Sequence, residues 1–287
     1  LYILRRLRLA GASLPSALTS LETSWRAALA TALPEQVAQM IDRGGTWNDL
    51  ELLADHTARV TATAEIQTEI MAEVAVSNLV TPAWHVGISD RMTDYEPYGS
   101  DYYIINAGLF VTPPVVVGMT WTTGSLDPRY GSTPWSLTTH GLAEKLFTVD
   151  KNGEIVGQVA QSVSMVSDYV WDVTLRRFYK FSDGTVVTGQ IVADCLNELN
   201  TGNSAAQSSL GTITATAPDA TTVRITSTTG THVMDAVLAE WVFTVYLADA
   251  TAIGNFLFTG PYAVQSFAAG DISLVPNEHY WYVLRPF

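Results

Sequence analysis

Residues 171–199 constrain the fold most, because they place a strand, a tight turn and a capped helix in immediate succession. Apolar and polar side chains alternate from Trp171 to Leu175, which is the two-residue period of a half-buried strand. Ser182-Asp183-Gly184 has the composition of a turn, and Thr188 is a suitable N-cap for a helix over Gly189–Leu199. A chain with this succession combines helices and strands in one domain.

Strand patterns continue along the chain without regular strand–helix–strand repeats. Further strands are predicted at 211–217, 221–227 and 271–275, and residues 236–245 fit either a helix or a strand. Upstream, the apolar run Val115–Met119 predicts a short buried strand. The predicted fold class is therefore α/β in the broad sense, a mixed α+β arrangement.

The charge balance excludes one large class of partner. The 287 residues include 15 Lys and Arg against 28 Asp and Glu, which gives a net charge of −13. Nucleic-acid affinity depends on clustered cations that neutralise phosphates, so we expect no nucleic-acid partner. Hydrophobic residues make up 47% of the chain, which excludes intrinsic disorder. The length fits about two domains or one large domain.

Cys195 is the only cysteine, so an internal disulfide and a multi-cysteine zinc site are both excluded. It lies in the mainly apolar run Ile191–Leu196 of the predicted helix. We therefore predict a buried structural side chain there rather than a nucleophile.

From the sequence we expect neither a membrane span nor a signal peptide in these residues. No stretch approaches the roughly 18–20 uninterrupted apolar residues that cross a bilayer. In Leu1–Ala12 the arginines follow the apolar residues, the reverse of the order in a signal peptide, so no A-x-A-like cleavage site there closes a proper apolar core. We predict an amphipathic helix there instead.

Motifs for catalysis are likewise missing. The sequence has no G-x-S-x-G elbow and no glycine-rich phosphate loop. Glu65 and Glu69 stand four residues apart, a spacing that fits an exposed helix face better than a metal site. No H-x-x-x-H or H-E-x-x-H spacing occurs among the five histidines, which are His56, His85, His140, His232 and His279.

Several short sequences from residue 115 onward are weak signals singly, but their order is specific. They are Gly124–Pro128, Gly141–Phe147, Asp150–Ile155, Val159–Ser162, Leu175–Arg177, Lys180–Thr188, Thr259–Tyr262 and Pro276–Trp281. This ordered set resembles the N-terminal half of the family 5 substrate-binding proteins of ABC transporters, which include oligopeptide-, dipeptide- and nickel-binding proteins. The resemblance implies a lobe of the type II periplasmic-binding-protein fold with an accessory subdomain.

The first 111 residues resemble the C-terminal part of the same family, which normally comes last. The resemblance rests on Leu4–Leu14, on Thr46–Leu53 with a long helix after it, and on Val80–His85. It implies a circular permutation joined near Val111–Pro114 and a chain without most of the second lobe. The implied divisions are 1–111 as the C-terminal part of lobe I, 112–145 as its first strand and helix, 146–257 as the accessory subdomain and 258–287 as the return to lobe I.

The resemblance implies non-covalent capture of a small solute, such as a peptide, by closure of two lobes, followed by delivery to the membrane subunits of an ABC permease. It also implies a periplasmic or extracellular location, with attachment to the membrane through a lipid anchor or the permease. It implies no enzymatic activity, catalytic residue, resident metal or cofactor.

In the family, the loop after the Leu-Asp-Pro sequence lines the ligand cleft. The matching positions in this chain are Tyr130, Gly131, Ser132, Thr133 and Trp135, which offer hydroxyls, backbone N–H groups and aromatic faces. Trp121 and Trp47 are further candidates for ligand binding.

Two other functions remain open from the sequence. The family's peptide-binding aspartate has no counterpart between Leu14 and Thr46, which weakens the expectation of a peptide ligand. A single lobe that binds no solute would serve as a structural or interaction module, and its uncovered cleft wall fits the low fraction of charged residues. A hydrolase is the least supported alternative.

Overall fold

The computed structural model describes residues 57, 60, 61, 64, 105, 116–118, 122–150, 153–268 and 270–280. The chain divides into two compact units, one of residues 1–83 with 231–233 and one of residues 84–230 with 234–287. In the first unit the backbone is helical at Thr57, Val60, Thr61 and Ala64, within the long helix that the sequence predicts. The predicted helix at Leu1–Ala12 and the pair Glu65 and Glu69 lie outside the described residues. The division of lobes at residues 111, 145 and 257 stays a prediction.

The described helices of the second unit are short apart from one. They are α1 (Thr133–Thr139), α2 (Gly189–Gly202), α3 (Ser204–Leu210) and α4 (Met234–Leu238), with a 3₁₀ turn at Ile253–Asn255. Ten strands accompany them in the described segments: β1 (Phe147–Val149), β2 (Ile155–Gly157), β3 (Ala160–Ser167), β4 (Val170–Leu175), β5 (Ile213–Asp219), β6 (Thr222–Ser227), β7 (Tyr246–Ala248), β8 (Phe256–Phe258), β9 (Tyr262–Ala268) and β10 (Asp271–Pro276). The mixed α+β class is confirmed.

An antiparallel four-stranded sheet in the order β3-β4-β6-β5 forms the centre of this unit. Its inward face carries Trp171 and Val173 of β4 beside Val223 and Ile225 of β6, all buried. Helix α2 packs on β5 and β6. Three antiparallel pairs, β1–β2, β7–β8 and β9–β10, complete the described strands. The alternation read from the sequence therefore separates the core face from the solvent face.

The predicted turn and helix cap are confirmed by the backbone. Gly184 has φ of +91°, a left-handed conformation that glycine adopts without strain. The Thr188 hydroxyl accepts a hydrogen bond from the Ile191 N–H at 3.4 Å, so it caps α2 as predicted. Cys195 on this helix is buried, also as predicted, and its thiol donates to the Tyr246 carbonyl at 2.8 Å. Burial raises the pKa of this thiol to about 12.

Two local predictions need correction. Residues Val116–Gly118 form no strand, and Val116 is 94% exposed, because an apolar run favours extended backbone without specifying a strand to pair with. The strand expected from residue 211 begins at Ile213 instead. Gly211 has φ of +68° and ends α3, which excludes it from a strand. The ambiguous stretch 236–245 ends α4 and then continues without a regular strand.

No helix among the described residues combines the length and the hydropathy that crossing a bilayer requires.

Candidate functional site

A tight loop precedes α1 and contains most of the positions for which the sequence predicts ligand contact. It starts at Asp127, whose N–H donates to the Ser125 hydroxyl at 3.0 Å. The Tyr130 N–H then donates to the Asp127 carbonyl at 3.3 Å, and the Thr133 N–H donates to the Tyr130 carbonyl at 2.9 Å. Gly131 has φ of +46°, so the chain reverses direction at a residue without a side chain. The backbone of this loop is thus fixed by its own hydrogen bonds.

An ion pair holds the loop at its N-terminal side. The Arg129 guanidinium donates to both carboxylate oxygens of Asp127, at 2.8 and 2.7 Å, in a bidentate arrangement. Burial by itself would raise the pKa of Asp127, but the hydrogen bonds and charge of Arg129 outweigh it and hold that pKa below its ordinary value. The guanidinium also lies 5.4 Å from the centre of the Phe256 ring and 3.9 Å from a Glu198 oxygen.

The candidate ligand residues differ in exposure. Tyr130 is 68% exposed, and Gly131 and Ser132 are exposed beside it. Thr133 is buried at the start of α1, and Trp135 is half-buried on the same helix. The structure therefore brings Tyr130, Gly131 and Ser132 together on one exposed surface. Trp121 and Trp47 lie outside the described residues, and ligand contact at all seven positions stays a prediction.

A residue that sequence reasoning missed holds the other side of the loop. The Asn203 side-chain N–H₂ donates to the Gly131 carbonyl at 3.0 Å, across 72 residues of sequence. Its side-chain carbonyl accepts from the Ala205 N–H at 3.0 Å and so caps α3. An asparagine followed by Ser-Ala-Ala predicts the cap from sequence. Nothing in the sequence predicts the contact with the loop.

A second polar group, the Glu144 cluster, is enclosed by the protein and consists of Glu144, Gln158, Tyr179 and Tyr280. One Glu144 carboxyl oxygen accepts from the Tyr280 hydroxyl at 2.9 Å and from the Gln158 amide at 3.2 Å. The other accepts a short hydrogen bond from the Tyr179 hydroxyl. Glu144 is only 4% exposed. A buried carboxyl group surrounded by donors stabilises a fold, because each donor offsets part of its desolvation.

Two further ionisable groups lie in the interior beside these sites. The Lys145 ammonium donates to the Ala239 carbonyl at 2.7 Å, and burial lowers its pKa to about 8, against the opposing charge of Glu240. On α1, the His140 Nδ1 hydrogen-bonds the Ser136 carbonyl, and burial lowers the pKa of this imidazole. Across the described parts of the chain, no group of three or more His, Cys, Asp and Glu side chains has an arrangement that could hold a metal ion.

Comparison with known proteins supports one family. Residues 154–286 match the family model of the bacterial extracellular solute-binding proteins, family 5, which describes the middle part of those proteins. This segment, a little under half of the chain, is therefore similar to family 5 of the solute-binding proteins. The match confirms the resemblance read from the sequence over that range, whereas the loop at Tyr130–Trp135 precedes it. The circular permutation and the missing second lobe stay predictions.

Solved structures similar to the chain belong to the same group of proteins. NikA from Staphylococcus aureus, in complex with Ni(L-His)2, is 25% identical over 56% of this chain and 34% of its own, with a TM-score of 0.49. The murein tripeptide binding protein MppA of Escherichia coli is 26% identical over 57% and 38%, with a TM-score of 0.49. OppA of Burkholderia pseudomallei is 22% identical over 55% and 37%, with a TM-score of 0.48.

The chain therefore spans between 34% and 38% of the length of these three family 5 structures. No curated protein matches it.

Proposed function

We propose that this chain is part of an extracytoplasmic receptor of an ABC importer, and that it binds a small solute non-covalently at the loop Tyr130–Ser132, with Trp135 beside it. The family 5 match over residues 154–286 supports the class of function. The observation that carries the site is the combination of a fixed loop backbone with exposed polar side chains.

This combination suits ligand binding for an energetic reason. A binding loop that is already ordered loses little conformational entropy when the ligand arrives. The Asp127–Arg129 ion pair and the Asn203 contact supply that order. In the described part of the molecule, no hydrogen bond uses the Tyr130 hydroxyl or the Ser132 hydroxyl, so both are available to a partner from solution.

The chemistry of the loop indicates the kind of solute. Tyr130 presents an aromatic face and a phenol, Ser132 presents a hydroxyl, and the exposed backbone at Gly131 adds an N–H donor. Such groups suit a compact solute with hydrogen-bonding groups next to an apolar portion, such as a short peptide. The acidity of the whole chain favours cationic or neutral solutes over anionic ones.

The partner of the receptor would be the membrane subunits of a permease, and its location periplasmic or extracellular. Both proposals follow from the family alone.

Binding is tested by a thermal-shift screen of the full chain against short peptides, sugars and metal chelates, followed by calorimetry of each compound that raises the unfolding temperature. The proposal predicts saturable binding of at least one class with a dissociation constant of about 1 µM and a free energy of about −8 kcal/mol. No binding across the panel, together with a stable dimer in solution, would contradict it and favour the interaction module.

A further inference from the structure

We propose that Asn203, at the junction of α2 and α3, is a positioning residue that fixes the solute-binding loop from outside that loop. The inference rests on the proposed function, because it concerns the same loop. It adds the α2–α3 junction as a second segment of the chain on which the geometry of the site depends. Asn203 is only 3% exposed, so a solute at the exposed loop surface has no access to its amide.

The orientation of the Asn203 amide follows from its two partners. Only the amide nitrogen can donate to the Gly131 carbonyl, and only the amide oxygen can accept from the Ala205 N–H. Both contacts are 3.0 Å long. One side chain therefore caps α3 and holds the loop at the same time.

The backbone beside Asn203 also lies close to the loop. A Cβ atom placed on Gly202, the last residue of α2, would lie 3.4 Å from the Cβ of Arg129. Arg129 precedes Tyr130 and Gly131 follows it, so the α2–α3 junction contacts the loop on both sides of the exposed Tyr130. This two-sided contact restrains the backbone that presents Tyr130 to solvent.

Capping and positioning can be separated by one substitution. Asn203→Asp keeps a side-chain oxygen for the Ala205 N–H, and aspartate caps helices about as well as asparagine. It removes the donor to Gly131 and places a carboxylate against the Gly131 carbonyl. Because Asn203 is buried, the carboxylate also has a desolvation cost whatever the role of the residue, so overall stability does not separate the two roles. Local exchange at the loop does, because a residue that served only as a helix cap would leave the loop amides unaffected.

A control with a similar double contact lies on α2, the helix that ends just before Asn203. The Asn197 amide donates to the Ala215 carbonyl at 2.9 Å and accepts from the Ala215 N–H at 2.8 Å. Asn197→Asp therefore removes one donor from an equivalent double contact, but in β5 rather than in the loop. A general effect of an added carboxylate near the end of α2 appears in both variants, although Asn197 is half-buried and Asn203 is buried.

The test is hydrogen exchange of the full-length chain, followed by solute affinity. We expect the Tyr130 and Thr133 amides, which are hydrogen-bonded within the loop, to exchange about tenfold faster in Asn203→Asp and at an unchanged rate in Asn197→Asp. Affinity for a solute found in the screen should fall about tenfold in Asn203→Asp alone.

Unchanged exchange in Asn203→Asp, or equal acceleration in both variants, would overturn the positioning role. Faster exchange in a protein that binds no solute would instead support the loop anchor and remove the proposed function, so the two failures are distinguishable.

Discussion

The Glu144 cluster and the loop Tyr130–Ser132 are both polar, but they use their polar groups in opposite ways. In the cluster, three side-chain donors converge on one buried carboxyl group. In the loop, the backbone is held by internal hydrogen bonds while Tyr130 and Ser132 extend into solvent. The difference indicates that polar chemistry in the interior stabilises the fold, whereas the exposed loop has polar groups left for a ligand.

The largest effect is expected at Glu144. Glu144→Leu removes the acceptor that Tyr179, Gln158 and Tyr280 share, which should lower the free energy of unfolding by about 3–5 kcal/mol. Urea denaturation measures this change. The control Glu154→Leu alters an exposed side chain and should stay within about 0.5 kcal/mol. A loss below about 1 kcal/mol in Glu144→Leu would remove the structural role of the cluster.

The burial of Lys145 makes the free energy of unfolding depend on pH. Its pKa is about 8 in the folded chain against 10.5 as its ordinary value, so between these pH values the unfolded chain binds more protons. The contribution of Lys145 to the free energy of unfolding should therefore rise from pH 8 to pH 10.5, by about 3 kcal/mol.

Urea denaturation measures this contribution as a difference between variants, because the raised pKa of the Cys195 thiol lowers the free energy of unfolding of every variant above pH 9. The difference between Lys180→Met and Lys145→Met should grow by about 3 kcal/mol from pH 8 to pH 10.5. A difference that stays constant across this range would show that burial does not lower the pKa of Lys145.

The ion pair at the loop should give a smaller effect. The partner Arg129 is 41% exposed, so solvent screening limits the loss in Asp127→Asn to about 1 kcal/mol at pH 7. Because the pKa of Asp127 lies below its ordinary value, its stabilisation is present above that value and disappears as pH falls through the folded pKa.

Urea denaturation at pH 7 and at pH 2–3 should therefore show a difference that shrinks with acid. Asp194→Asn, on the exposed surface of α2, is the control. A difference of equal size at both pH values would exclude the ion pair as its cause.

Ser132 should have the smallest effect on the fold. Ser132→Ala changes an exposed side chain that makes no cap hydrogen bond, so the free energy of unfolding should stay within about 0.5 kcal/mol. Solute affinity should fall by about 1 kcal/mol, or about fivefold in the dissociation constant. Thermal denaturation and calorimetry measure the two quantities. A variant that loses stability without losing affinity would reverse the contrast between loop and interior.

The sequence predicted those parts of the structure that depend on neighbouring residues. The β4 strand, the turn at Gly184 and the Thr188 cap follow from local alternation and local hydrogen bonds, and all three are confirmed. The strand at residues 116–118 was wrong because pairing depends on a distant partner.

Contacts between distant residues account for what was missed at the sites. Asn203 reaches Gly131 across 72 residues, and Tyr280 reaches Glu144 across 136. Neither contact leaves a pattern in the residues around it. The resemblance placed the candidate site at residues 130–135, but the burial of Thr133 and the exposure of Tyr130 required the structure.

Calorimetry of two matched tyrosine variants shows whether the exposed loop captures the solute. Tyr130 is 68% exposed on the loop, and Tyr169 is 53% exposed at the turn between β3 and β4. For a solute found in the screen, Tyr130→Ala should weaken binding by at least about tenfold, while Tyr169→Ala should leave the dissociation constant within about twofold of the unmodified chain. Equal affinities in the two variants would contradict the assignment of this loop as the binding site.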